Sequence, residues 1–154
     1  MNNQSQSQKE IIFRIDREEY AISVMEVVSI EKTHELTPVP KQSPYVLGVI
    51  HLRGQVVPII DLRKILNQTD SIVTDSTRYI MASVGGQVIG FVVDAATDIL
   101  DVPASTIQKP ALFSKDFIYG IAKLEERMIV LLDIPQLLKS ALGDVSLTEI
   151  TSIA

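Results

Sequence analysis

The chain repeats itself. Residues 48–66, GVIHLRGQVVPIIDLRKIL, lie without a gap over residues 120–138, GIAKLEERMIVLLDIPQLL, an interval of 72 residues. Four of the 19 pairs are identical (Gly48/Gly120, Leu52/Leu124, Asp61/Asp133, Leu66/Leu138), and eight more set apolar against apolar. Four identities alone decide little, but an apolar pattern kept around an aspartate at the same place implies two copies of one small β unit.

In the first copy, YVLGVIHL and QVVPIID are rich in Val and Ile and read as strands, with Arg53-Gly54 as the reversal and Gly54 supplying positive φ. Asp61 stands where an N-cap belongs, and Asn67 is expected to end the short helix that follows. Each copy is preceded by another hairpin. One is IIFRIDREEYAISV, turning between Asp16 and Glu19; the other is RYIMASV and QVIGFVV around Gly85-Gly86, with Asp94 closing its second strand. Ser23 and Glu26 have capping-box spacing, so a single helical turn is expected there. Prolines 38, 40 and 44 mark a loop, and residues 68–77 form a polar linker. A helix is expected from about Ile134, with Pro135 tolerated in its first turn, followed by a weaker apolar-periodic tail with Leu147, Ile150 and Ile153.

Short twisted strands of this kind close or pack face to face to remove their edges. The expected fold is therefore mainly β: two related small barrels with short capping helices and a C-terminal helix. The expected organisation is a disordered lead over 1–10, one domain over 11–142 with its second subdomain at about 78–133, and a tail over 143–154.

Composition narrows the function. With 154 residues, 46% of them hydrophobic, a buried core is assured. No apolar run approaches the roughly 20 residues of a membrane span, and the polar start lacks the regions of a signal peptide, so a soluble, cytoplasmic protein without membrane insertion is expected. The absence of cysteine removes disulfides, thiolate ligands and a thiol nucleophile. A net charge of -5 with scattered basic residues argues against a nucleic-acid partner.

Catalytic patterns were sought in the same residues. Two related lobes each ending a strand in aspartate invite an aspartate-dependent hydrolase using Asp61 and Asp133. Both segments, IIDLRK and LLDIPQ, run straight into amphipathic helices, which favours capping. His34 and His51, the only histidines, have no partner at ligand spacing and read as solvent-side strand residues, so no metal is expected. No nucleophile elbow or phosphate-binding glycine loop is present. What remains is surface: Val27, Val28 and Ile30 after the first hairpin, and Ala96, Ile99 and Leu100 after the second, border one groove if the barrels pack side by side, or are plain core.

At this point the residues resemble a known family. GVIHLRGQVVPIIDLRKIL is similar to the Gly-Val-Ile-Asn-Leu-Arg-Gly hallmark region of the CheW family of chemotaxis coupling proteins, and EYAISVMEVVSIEK and IGFVVDAATDIL fall where its flanking motifs belong. The resemblance covers about 11–142 and implies two SH3-like five-stranded barrels around a shared apolar core. It implies an adaptor, neither enzyme nor cofactor protein, that couples methyl-accepting chemotaxis receptors to the regulatory domain of the CheA histidine kinase in arrays beneath the inner membrane. The length favours a stand-alone adaptor over the CheW-like module of a CheV-type protein. By the same resemblance, the receptor tip meets Val27, Ile30, Arg53, Ala96 and Ile99, and the kinase meets Leu112 and Phe113 on one side and Tyr45 and Val46 on another. Two positions depart from the family pattern: His51 stands for its usual asparagine and Ser29 for a common acid, with Glu31 nearby.

Overall fold

Alternation of buried positions along short Val/Ile-rich runs sets the architecture. The structure, a computed structural model, describes residues 6–40, 43–109 and 115–143. The strands β1 (Ser7–Ile15) and β2 (Glu18–Ser23) form the first hairpin, a 3-10 turn over Val24–Glu26 follows, and β3 (Val27–Lys32) leaves it. The second hairpin is β4 (Val46–Leu52) and β5 (Gln55–Asp61), closed by helix α1 (Leu62–Asn67). After the linker come β6 (Arg78–Val84), β7 (Gln87–Val93) and β8 (Ala95–Pro103), then a 3-10 turn over Ala104–Thr106 and the short β9 (Ile107–Gln108). Last are β10 (Ile118–Leu124), β11 (Arg127–Leu132) and helix α2 (Ile134–Leu142). The Met25 N–H donates to the Ser23 hydroxyl at 3.2 Å, so the expected single turn forms on the expected cap.

Sheet membership does not follow the chain. One sheet runs β3-β6-β7-β5-β4 and the other β8-β1-β2-β11-β10-β9. Each leading hairpin thus sits in the sheet of the other half: β1 and β2 join β8 to β11, with β2 parallel to β11, while β6 and β7 join β3 to β5, with β7 parallel to β5. The strands within 78–133 accordingly divide between both sheets. Part of the segment expected to be disordered is strand: Ser7–Glu10 belong to β1 and pair with Leu100–Pro103 of β8, a partner some ninety residues away that local polarity does not reveal.

Both sheets close into SH3-like barrels by the same device. The 3-10 turn after β8 carries the chain from one edge of its sheet to the other, where Gln108 of β9 pairs with Ile121 of β10. In the other barrel the chain beyond β3 returns so that Thr37 exchanges two hydrogen bonds with Val49 of β4, at 2.8 and 3.0 Å. Val49 and Ile121 are 72 positions apart, as in the repeat. Beside each closure stands a glycine. A Cβ on Gly48 would lie 2.7 Å from the Thr37 carbonyl oxygen, and one on Gly120 would lie 3.0 Å from that of Gln108 and 2.8 Å from Ile107 Cγ2.

Three apolar clusters result. Six buried side chains, among them Ile12, Ala122 and Ile129, fill the six-stranded barrel, and six, among them Ile59, Tyr79 and Met81, fill the other. Twenty, including Phe13, Ile60, Phe91, Phe117 and Leu137, lie between the barrels, so the shared core holds more apolar surface than both interiors together. Neighbours such as Ile12/Phe13 and Ile59/Ile60 belong to different clusters, because successive side chains face opposite sides of a strand and here both sides are buried.

The helix caps repeat with the sequence. The Asp61 N–H donates to the Tyr45 carbonyl and the Asp133 N–H to that of Phe117, each at 2.8 Å, while the carboxylates accept from Lys64 and Gln136 N–H groups at 3.3 and 3.1 Å. Asp61 accepts in addition from the N–H and hydroxyl of Ser71 in the linker. Helix α1 ends at Asn67 as expected, but the left-handed cap position is Gln68. The Asn67 amide is drawn away, donating to Asp16 in the β1–β2 turn at 2.6 Å. Pro135 sits in the first turn of α2 as expected, and the tail with Leu147, Ile150 and Ile153 lies outside the described residues.

Two sets of variants test this frame. Gly48→Ala and Gly120→Ala should each lose about 1–3 kcal/mol in urea unfolding, since backbone oxygens cannot step aside as a flexible side chain would; a loss below about 0.5 kcal/mol at either site would show that the closure yields. Asp61→Ala should fall at the upper end of the range of about 0.5–2 kcal/mol for a lost cap, and Asp133→Ala lower, because only the former also strands the Ser71 groups.

Candidate functional site

Where the barrels meet at the surface, the edge strands β3 and β8 face each other across a shallow groove of about 230 Å³ lined by Ile30, Ala96, Thr97, Asp98 and Ile99. β3 alternates half-buried and exposed positions from Val27 to Lys32, which puts Val28 and Ile30 outward; Ile99, on β8, is 61% exposed. Ile30, Ala96 and Ile99 therefore come together as the sequence reading required. Val27 does not join them: it is half-buried against the shared core, and Val28 takes the exposed place beside Ile30. Leu100 packs into the interior of the six-stranded barrel.

Arg53 occupies the β4–β5 turn with φ 51 and Gly54 follows with φ 80, so the turn demands left-handed geometry at both positions. Asp16 and Glu125 hold the same conformation in their own hairpin turns, so the backbone conformation alone does not require arginine. The distinctive feature of Arg53 is its reach. Its side chain is 68% exposed, and its Nη1 donates to Glu31 Oε2 at 3.1 Å, which ties the β4–β5 turn to β3, the strand that carries Ile30. Glu31 thus supplies an acid where Ser29 cannot.

The opposite wall has its own buttress, which sequence reasoning missed. Arg127 at the start of β11 grips Glu19 with two hydrogen bonds, Nε to Oε2 at 3.1 Å and Nη2 to Oε1 at 2.6 Å, and also donates to Asp98 at 2.9 Å. The Glu19 and Asp98 hydrogen bonds hold the Arg127 proton more firmly than usual. Strands β2, β8 and β11 are thereby tied beside the groove. No sequence signal marks this cluster, because Glu19, Asp98 and Arg127 are brought together only by the exchanged hairpin.

Other expected sites fare differently. Val46 is 3% exposed within the shared core, and Tyr45 packs half-buried against the same cluster, so Val46 has no free face to offer a partner: the fold turns it inward beside the Asp61 cap. Leu112 and Phe113 lie outside the described residues. His51 is an exposed residue of β4, but His34 lies past the end of β3 and is exposed in a loop, its carbonyl accepting from the Tyr79 hydroxyl at 3.2 Å. Asp61, 1% exposed and occupied by Lys64 and Ser71, has no open carboxylate for acid–base work. Among the described residues no group of three or more acids or histidines is placed to hold a metal ion, and no helix is long and apolar enough to cross a membrane.

Comparison with known proteins agrees with this geometry. The family model of the CheW-like domain matches residues 10–142. The chain is 43% identical over 130 residues to the chemotaxis protein CheW of Bacillus subtilis, covering 82% of this chain and 83% of that one. It is 34% identical over 137 residues to the chemotaxis protein CheW of Klebsiella aerogenes, covering 86% and 82%. The crystal structure of the scaffolding protein TtCheW from Thermoanaerobacter tengcongensis superposes with a TM-score of 0.78 at 26% identity, over 86% of this chain and 88% of that one. The exchanged barrels, the matched family model and these relatives together make the chain a member of the CheW-like domain family.

Proposed function

We propose that this protein is a non-catalytic chemotaxis scaffold that couples methyl-accepting chemoreceptors to the CheA histidine kinase in arrays on the cytoplasmic side of the inner membrane, and that the β3–β8 groove receives the receptor tip. The observation that carries the site is an apolar groove built from one strand of each barrel, together with an exposed arginine tied through Glu31 to the strand that carries Ile30. A receptor helix has the matching chemistry: an apolar stripe for Ile30, Ala96 and Ile99, and carboxylates or carbonyls for a fixed fork of N–H donors. Val28, outward beside Ile30, belongs to the same surface. The kinase contact rests on the family resemblance of Leu112 and Phe113, with Tyr45 contributing at most an edge.

Arg53→Gly separates binding from folding. Glycine accepts the left-handed turn more readily than arginine, so the melting temperature should hold or rise. Receptor-tip binding should weaken by about 2 kcal/mol or more, as loss of a charge-assisted interface anchor does. Ile99→Asp should weaken the same interaction without touching the core, and Glu31→Ala should have a smaller effect by releasing the guanidinium. Binding to the isolated CheA regulatory domain should survive all three. Titrations of each variant against each partner, with thermal melts alongside, decide the matter: equal loss of both partners, or unchanged receptor binding in Arg53→Gly, would overturn the assignment. Phe113→Ser should show the reverse selectivity, losing the kinase domain and keeping the receptor.

A further inference from the structure

Away from the groove, a pocket of about 400 Å³ opens where β1, the 3-10 turn after β2, β10 and the start of α2 meet, and Glu10, Glu26 and Asp133 all line it. Glu10 is 4% exposed, yet among the described residues its carboxylate has neither a hydrogen-bond nor an ion-pair partner. Its strand neighbours, Ser23 on β2 and Leu100 on β8, bring no charge. On β1 itself, Lys9 is paired with Asp101 at 3.0 Å. From β10 the pocket receives Tyr119, over whose ring Lys109 sits 4.4 Å from the centroid. Asp133 is committed to capping α2. Among the described residues no basic side chain lines the pocket, so carboxylates from three elements face it with no lining cation to neutralise them. Burying an acid in this way is costly unless a partner supplies the missing charge.

We propose that this pocket receives one cationic side chain, a lysine ammonium or arginine guanidinium, presented by a docking protein. The lining suits such a group at both ends: the carboxylates for the charge, and Leu131, Leu132 and the Tyr119 ring for the aliphatic stem. A metal ion suits it less, since among the described residues no three acids or histidines stand close enough together to hold one. Beyond its described parts the chain holds one lysine, Lys41, and no arginine. Burial, and then Glu26, push Glu10 up to about 7, and Glu26 is itself raised by burial and then by Asp133. An arriving cation displaces the Glu10 proton, so binding tightens as pH rises through that value.

The proposal stands apart from the receptor reading, because its probes are small molecules. The full chain is titrated with Nα-acetyl-lysine methylamide, Nα-acetyl-arginine methylamide and, as the uncharged control, Nα-acetyl-norleucine methylamide, while backbone amide resonances are followed. Either cation should give saturable shifts at Glu10, Glu26 and Tyr119, about 10-fold tighter near pH 8 than near pH 6. Glu10→Gln should weaken that binding by about 10-fold or more. The variant's fold is checked by melting. A folded-state value above the unfolded one means that wild type loses stability as pH rises from about 4.5 through 7, so Glu10→Gln should melt with wild type near pH 5 and above it near pH 8. No saturable shift with either cation, a response equal to that of norleucine, or undiminished binding in Glu10→Gln overturns the proposal. Tighter binding of putrescine than of both amides overturns its assignment to a protein side chain.

Discussion

Two backbone oxygens, those of Thr37 and Gln108, lie where a side chain at position 48 or 120 would begin. The closeness of that approach lets each sheet bond across its own gap and become a barrel. Closure removes the edges, and with the edges gone both faces of most strands are available for burial: one toward a barrel interior, the other toward the neighbouring barrel. A side chain at either glycine would push the returning strand off its partner. The groove strands β3 and β8 would then lose their positions, since each is held on one side only and continues directly into a closing segment.

The groove is a product of hairpin exchange. Because β3 pairs with β6 and β8 with β1, the strand that leaves each leading hairpin crosses into the opposite sheet, and the two crossing strands end up side by side at the surface. Each wall is braced by an arginine from a hairpin end of its own barrel, Arg53 to Glu31 and Arg127 to Asp98. The two braces differ in kind. Arg127 is spent on a bidentate pair with Glu19 and on a second acid, Asp98, whereas Arg53 bonds Glu31 alone among the described residues and keeps most of its surface in water. The first fixes a wall; the second leaves donors free.

Much of this was legible in the sequence, for reasons that local physics supplies. Turn chemistry located the hairpins, since Gly54 and Gly85-Gly86 follow the demand for positive φ, and the aspartates at 61 and 133 cap the helices that their spacing implied. The apolar members of the groove were recognisable as well, although Val27, named through the family resemblance, packs against the shared core instead. What the sequence concealed is non-local. The parallel pairing of β2 with β11 joins segments more than a hundred residues apart, and nothing in EEYAIS names RMIVLL as its neighbour. Val46 was named as a partner contact through the family resemblance alone, whereas the Asp61 N–H holds the Tyr45 carbonyl and Val46 is buried in the shared core. Glu10 sits in a polar-looking start that read as disorder, and only β8 makes it part of a buried strand.

The interleaving also orders events in time. On a ribosome the β1–β2 hairpin emerges well before its sheet partners β8 and β11 and before the rest of the shared core. The five-stranded barrel has all its strands once Val93 is out, so it has the head start, but its outer face carries half of a core whose other half is still missing. Contacts of such long sequence separation pay their loop-closure entropy before any of it is returned. Neither barrel is a module that was added to the other. Each is threaded through its twin, and a break anywhere between the two halves of the repeat would leave two fragments, each holding an incomplete share of both.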